Sequence, residues 1–285
     1  MEKYFEAKRK LFESLKESKA VNKYAIINND DPYAEKFINS VPEKVKILTY
    51  GIKNVSEITA KDIVYSPNGA SFICETPFGI KKINLQMTGQ FSVYNALAAL
   101  CAGICENIDI DTCIEALEST KSVAGRFEAV VKEPLAIVDY AHTPDGLLNV
   151  LDTAKKIVPE NGRLLCVFGC GGDRDATKRP KMGKIAEDLC DIVIITSDNP
   201  RSEDPQQIIT DILSGIKSLN SDKIKVEPDR RSAIEMSLKI SNNNDVIVVA
   251  GKGHEDYQIL KDKTIHFDDR EEVQKAFELI RGVNK

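Results

Sequence analysis

The sequence predicts an α/β protein in two parts: a C-terminal mainly parallel sheet with helices on both faces, preceded by a mixed segment containing a small antiparallel meander. Three observations carry this. From about residue 124, near-continuous apolar runs alternate with helical patterns, as strands buried on both faces do. Between residues 56 and 88 the pattern becomes strict alternation, broken by Pro-Asn-Gly (67–69) and Pro-Phe-Gly (77–79), the signature of short strands joined by tight turns. The composition, 42% hydrophobic and 29% charged over 285 residues, is that of a folded globule long enough for two domains.

Taken in order, residues 1–18 read as an amphipathic helix with Tyr4, Phe5, Leu11, Phe12 and Leu15 on one face. AIINN (25–29) and KVKILTY (44–50) are strands flanking a helix that begins near Pro32. The alternating stretches centre on Ile63, Phe72 and Ile83, and helices follow from about Phe91 to Cys105 and over 111–119. The C-terminal strands are LAIVDYA (135–141), RLLCVFG (163–169), DIVIITS (191–197), KIKVEP (223–228) and DVIVVAG (245–251). Helices begin near Pro144, Arg179, Pro205 and Arg231, and a hairpin at 258–267 and a helix over 270–281 close the chain. The boundary falls in TKSVAGRFE (120–128), giving domains of 1–123 and 124–285.

Composition also excludes function classes. A formal charge of −5 gives no electrostatic reason to expect nucleic acid or an anionic membrane as partner. No run approaches the roughly 18 apolar residues of a membrane span, and the N-terminus lacks the apolar core of a signal peptide; the expectation is a soluble, cytoplasmic protein. Seven cysteines, with no CxxC pair, and three histidines predict reduced, structural thiols and no zinc centre. GCGGDRD (169–175) fails the spacing of a dinucleotide fingerprint, which disfavours a nicotinamide site, and no G-x-x-x-x-G-K-[ST] phosphate loop occurs.

The unusual residues follow the strands directly: DYAHTPDG (139–146), GCGGDRD (169–175), SDNPRSEDP (197–205) and GKGHED (251–256). In an open parallel sheet these loops share one edge, where ligands bind. Arg174 and Arg201 can pair bidentately with carboxylates and Glu255 can hold an ammonium, which together suit an amino acid charged at more than one end. Surface salt bridges are the other reading of the same residues. Lys8 stands on the apolar stripe of the first helix, where a lysine either snorkels to solvent or is held partly desolvated. A neutral amine can take up carbon dioxide as a carbamate, an oxygen ligand suited to magnesium.

YFEAKRKLF (4–12), INNDDPY (27–33), FSVYNALAAL (91–100), GRFE (125–128), VDYAHTPDGL (138–147), FGCGGDRD (168–175), KRPKMG (178–183), SDNPRSEDP and VAGKGHEDYQ (249–258) resemble, in order, the Mur ligases. Within that family they resemble the members that add the third amino acid of the peptidoglycan precursor. DNPR together with GKGHEDYQ is the specific part; NALAAL or DYAHTP alone indicates only a superfamily that includes folylpolyglutamate synthetases.

The resemblance implies a Rossmann-like C-terminal domain preceded by the C-terminal part of a Mur-type ATPase domain. It implies ATP and Mg2+ as cofactors, and UDP-N-acetylmuramoyl dipeptide and meso-diaminopimelate as substrates. On this basis Lys8 matches a carbamylated lysine that helps hold magnesium. Asn95 matches a residue near the adenine, and Arg126, Asp139 and His142 match residues around the ribose and phosphates. Arg174, Asp198, Asn199, Arg201, Gly251 and Glu255 match the pocket for the incoming amino acid, with Arg201 clamping the distal carboxylate that lysine lacks. Lanthionine, as an isosteric diacid, fits the same clamp. Family members carry a uridine-nucleotide domain and a phosphate loop ahead of the matched region, so the expectation is a chain inactive alone. The alternatives are a non-catalytic amino-acid-binding module and a family ligase that uses another diamino acid.

Overall fold

The computed structural model describes residues 2–66, 68–121, 123–219 and 221–282. They form two compact units, Met1–Lys121 and Ser122–Lys285. Met1, Pro67 of the first predicted turn and Ser122 of the predicted junction lie outside the described residues. No helix among the described residues is long and apolar enough to cross a membrane.

The first unit contains α1 (Glu2–Ser14), β1 (Tyr24–Asn28), α2 (Ala34–Ile38), β2 (Lys46–Gly51), β3 (Ile58–Ser66), β4 (Gly69–Thr76), β5 (Gly79–Leu85), α3 (Gln90–Cys105) and α4 (Ile110–Ser119). Its sheet runs β1-β2-β3-β4-β5, parallel across the first three strands and antiparallel through the meander. The alternation read from the sequence becomes alternating burial in β4, and one face packs Phe72, Cys74 and Ile83 against Val93, Leu97 and Leu100 of α3. Asp109 caps α4 by accepting the backbone N–H groups of Asp111 and Thr112, which satisfies two of the donors that a helix start leaves open.

The helix α1 corrects the sequence reading of its buried face. Phe5 is buried, stacks on Tyr33 at 5.1 Å and meets Phe37 in a tilted contact at 4.9 Å, and Phe12 packs on Phe37. Tyr4 and Leu11, assigned to the same stripe, are 60% and 69% exposed. At 100° per residue, Phe5 and Phe12 differ by only about 20°, while Tyr4 and Leu11 lie about 80–120° away from them.

The second unit contains β6 (Glu128–Lys132), β7 (Leu135–Asp139), α5 (Pro144–Lys155), β8 (Leu164–Phe168), α6 (Arg179–Leu189), β9 (Ile192–Ile195), α7 (Pro205–Leu213), β10 (Ile224–Val226), α8 (Arg230–Ile240), β11 (Val246–Ala250), the hairpin β12 (Tyr257–Ile259) and β13 (Thr264–His266), and α9 (Asp269–Arg281). The strand order is β10-β9-β8-β11-β7-β6. All neighbours are parallel except β6, which pairs antiparallel with β7 and was not expected from the sequence. The central strands β8 and β11 are buried at every residue, as a sheet covered on both faces requires. Thr143, Asp204, Asp229 and Asp268 cap α5, α7, α8 and α9, with Pro144 and Pro205 in the first turn of α5 and α7; this local chemistry made the helix starts legible. The seven cysteines are free, and all but Cys113 are buried. Cys190 caps the end of α6 rather than lying within it.

Candidate active site

The chain reverses its direction of growth across the second sheet at one place. From β7 it passes to β8, two positions away, and only after β9 and β10 does β11 return between them. Open α/β sheets bind ligands beyond the carboxyl ends of their strands. A cavity of about 600 Å³ lies there, and His142, Arg174, Asp198, Asn199, Arg201, Gly251 and Glu255 all line it. The four loops singled out in the sequence therefore meet, with cationic and anionic side chains in one space.

The loop after β9 is built to hold its shape. The Asp198 carboxylate accepts the Asn199 N–H at 2.6 Å, and the Asp198 carbonyl accepts Gln258 Nε2 at 2.7 Å. Asn199 Oδ1 accepts the Ile259 N–H at 2.9 Å, while its Nδ2 donates to Glu255 Oε2 at 3.0 Å. Arg201 has a left-handed backbone, φ +53; its N–H donates to the Ile259 carbonyl and its Nη1 to the Gly172 carbonyl at 2.8 Å. Gly251, φ +125, passes so close to Asp198 that an added Cβ would lie 2.5 Å from the carboxylate. Glycine is needed there on two counts.

The Gly-rich loop after β8 is fastened to the same segment. Gly172 N–H donates to the Asn199 carbonyl at 2.9 Å, and Asp173 accepts from Ser202. Arg179, 1% exposed, pairs with Glu203 and Asp211, both at 2.8 Å. Hydrogen bonds from Arg179 hold the Glu203 and Asp211 carboxyls below their ordinary range, and those from Ser202 do the same for Asp173.

Arg126 and Asp139 are not part of the cavity lining. Asp139 ends β7 and accepts the Phe127 and Ala141 N–H groups, both at 2.8 Å; burial nonetheless pushes its carboxyl up. The Arg126 guanidinium packs over the Tyr140 ring at 4.6 Å, and Tyr140, which does line the cavity, also contacts His142 and His254. Gly125, φ +65, lies against Gly253 and His254, where a Cβ would come within 2.1 Å of backbone.

Lys8 and Asn95 belong to the first unit, and both are exposed. Lys8 Nζ lies 4.5 Å from the Tyr4 ring centre. Beside Asn95, Tyr94 Oη donates to Asp30 at 2.8 Å. Burial would raise the Asp30 carboxyl, but the amides of Ile52, Lys53 and Asn54 together with Tyr94 outweigh it and hold it low. Among the described residues no cluster of three or more His, Cys, Asp or Glu is placed to hold a metal ion.

Two features escaped the sequence reading. Lys252 is fully buried, with Nζ 3.3 Å from Asn199 Oδ1 and 3.4 Å from Glu255 Oε2. Lys178 Nζ donates to the His142 carbonyl at 2.6 Å and joins two of the loops. Both lie inside motifs quoted above, but neither type nor spacing distinguishes a buried lysine from a solvated one.

Residues 1–103 match the Mur ligase middle domain and residues 125–253 the Mur ligase glutamate ligase domain. A Clostridium botulinum protein named UDP-N-acetylmuramoyl-L-alanyl-D-glutamate–2,6-diaminopimelate ligase is 47% identical over 99% of this chain, and a Clostridium perfringens protein of the same name is 45% identical over 97%. The chain spans 56% of the length of each. A solved structure of a ligase of that name is 38% identical with a TM-score of 0.68, covering 98% of this chain and 57% of its own. A folylpolyglutamate synthase from Thermotoga maritima, 19% identical with a TM-score of 0.62 over 81% of this chain and 52% of its own, shares the fold. With two domains of one family matched in order along its length and relatives of that family at such identity, the chain belongs to the Mur ligases.

Proposed function

We propose that this chain serves an ATP-dependent ligase of peptidoglycan precursor synthesis that joins meso-diaminopimelate to UDP-N-acetylmuramoyl-L-alanyl-D-glutamate, and that its second unit, as the C-terminal ligase domain, binds the diaminopimelate. The cavity that gathers Arg174 and Arg201 with Asp198 and Glu255 carries the reading. The names of relatives at 47% and 45% identity supply the substrates. Soluble nucleotide-linked substrates support a cytoplasmic reaction.

In such a reaction the acceptor carboxylate would take a phosphoryl group from ATP, releasing ADP, and the amine of the incoming amino acid would attack the acyl carbon, forming the amide and releasing inorganic phosphate. What this chain contributes to that step is positioning. Arg201 spends Nη1 on backbone carbonyls, which orients the rest of its planar fork for a ligand carboxylate; Arg174 offers a second guanidinium. Asp198, Asn199 and Glu255 supply acceptors for an ammonium. Exposed Arg126, stacked on Tyr140, suits a nucleotide phosphate, and Asp139, at the end of β7, with His142, on the loop that follows, suits the ribose and phosphates. In the first unit exposed Asn95 suits the adenine. Lys8 as a carbamate would give magnesium one oxygen of the roughly six it takes, so the described residues fit a contributing ligand and not a complete metal site.

Calorimetry of the chain with meso-diaminopimelate and with L-lysine tests the reading. Saturable diaminopimelate binding at least tenfold tighter than lysine is expected. Equal affinity for the two would remove the distal-carboxylate clamp from the assignment.

A further inference from the structure

Arg230 is the first residue of α8 and is 1% exposed. Its Nε and Nη2 donate to the two oxygens of Asp269, the first residue of α9, both at 2.7 Å. The remaining reach of the fork goes to two backbone carbonyls: Nη2 donates to Ala250 at 3.0 Å and Nη1 to Ser197 at 3.3 Å. Both side chains of the ion pair are fully enclosed.

Those two carbonyls immediately precede Gly251 and Asp198, which line the cavity. Ala250 ends β11 and Ser197 lies two residues past the end of β9; these strands are not neighbours, because β8 lies between them. Each pairs with Phe168 of β8 and no hydrogen bond joins them directly, whereas the guanidinium contacts both segments. The clearance it maintains is small: a Cβ on Gly251 would stand 2.5 Å from Asp198 Oδ2 and 3.9 Å from Arg230 Nη2.

Stability alone does not account for such an arrangement, since a well-packed apolar pair commonly holds a fold as firmly as a buried ion pair. We propose that Arg230, held by Asp269, is a positioning residue of the amino-acid cavity, fixing the ends of β9 and β11 so that Asp198 and Gly251 keep their spacing. The inference rests on the reading of this cavity as the diaminopimelate site. Arg230 touches no ligand itself and acts through the two loops.

The test replaces the pair together, Arg230→Met with Asp269→Leu, which removes the fork without leaving a buried charge unpaired. The expected result is an unfolding midpoint close to that of the wild type and a diaminopimelate affinity, by calorimetry, lower by roughly tenfold or more, as two lost carbonyl contacts would give. Amide exchange at Asn199 and Gly251 should quicken in the same variant without ligand. Arg230→Lys keeps the charge but not the planar fork and should fall between. If the double variant does not fold, Asp269→Asn carries the same expectation at smaller size. A folded variant with wild-type affinity and exchange overturns the proposal. Wild-type chain that binds no diaminopimelate overturns the reading of the cavity instead.

Discussion

Asp173 and Ser202 fasten two loops that come from different strands: Asp173 Oδ1 accepts the Ser202 hydroxyl at 2.6 Å and Oδ2 its N–H at 3.2 Å. One loop carries Arg174 and the other Arg201, so this exposed contact helps, with the Gly172–Asn199 bond, to set how far apart the two guanidinium groups stand. Asp173→Ala should lower diaminopimelate affinity roughly threefold to tenfold, the equivalent of one or two modest hydrogen bonds. Thermal unfolding should fall modestly, because Asp173 has φ +55, which Asp tolerates better than Ala does. Calorimetry beside a melting curve separates the two, and a fall in melting temperature without loss of affinity would assign Asp173 to the fold alone.

Arg201→Ala should cost diaminopimelate affinity about tenfold to a hundredfold, as expected for charged hydrogen bonds worth roughly 1.5–3 kcal/mol. Lysine affinity should hardly change. The left-handed backbone strain is common to Arg and Ala, so the difference reports the side chain. Competition binding with both amino acids measures it.

Gly251→Ala forces a side chain into a positive-φ position and against Asp198. A destabilisation of about 1–3 kcal/mol is expected from the backbone alone, with diaminopimelate binding largely lost because Asp198 must move. Urea unfolding and calorimetry on the same preparation check both parts.

Acid should loosen the arginine loop with a definite sign. Glu203 and Asp211 are held low by Arg179, so their contribution is complete above the ordinary carboxylate range near pH 4 and is lost as pH falls through the lower folded values. Urea midpoints measured from pH 7 to 3 should therefore fall below about pH 4.5, and Arg179→Met should flatten that limb. Asp139 runs the other way. Its raised value gives a contribution present at low pH and lost as pH rises through the folded value.

In the first unit, Tyr94→Phe removes the hydroxyl that donates to Asp30 and should lower urea stability by about 1 kcal/mol. An unchanged midpoint would mean that the three backbone amides suffice to hold Asp30.

Much of the fold was legible because local chemistry and hydrophobic period agree. Thr143-Pro144 and Asp204-Pro205 announce α5 and α7, and the continuous apolar runs of β8 and β11 announce burial on both faces. The strand β6 was missed for the opposite reason. EAVVK is short and half exposed, with a register shift between Ala129 and Val131, so its strand character comes from pairing with β7 and not from its own pattern. The loops that line the cavity were legible because they follow strands directly. Arg230, Lys252 and Arg179 were not singled out, since burial of a charged side chain is decided by partners 24 to 53 residues away and leaves no local mark. The exposed Tyr4 shows the same limit for an apolar residue: a stripe on a helical wheel does not say how wide a face the neighbours cover.

The left-handed backbone at position 201 has an evolutionary consequence. A β-branched residue resists that conformation far more than Asn, Asp or glycine does, while unbranched side chains pay a moderate cost there. Drift in amino-acid preference at this locus is thereby channelled: valine, isoleucine and threonine are barred by the peptide chain before the ligand has any say. The residues open to position 201 are limited by a torsion angle as well as by the cavity the side chain lines.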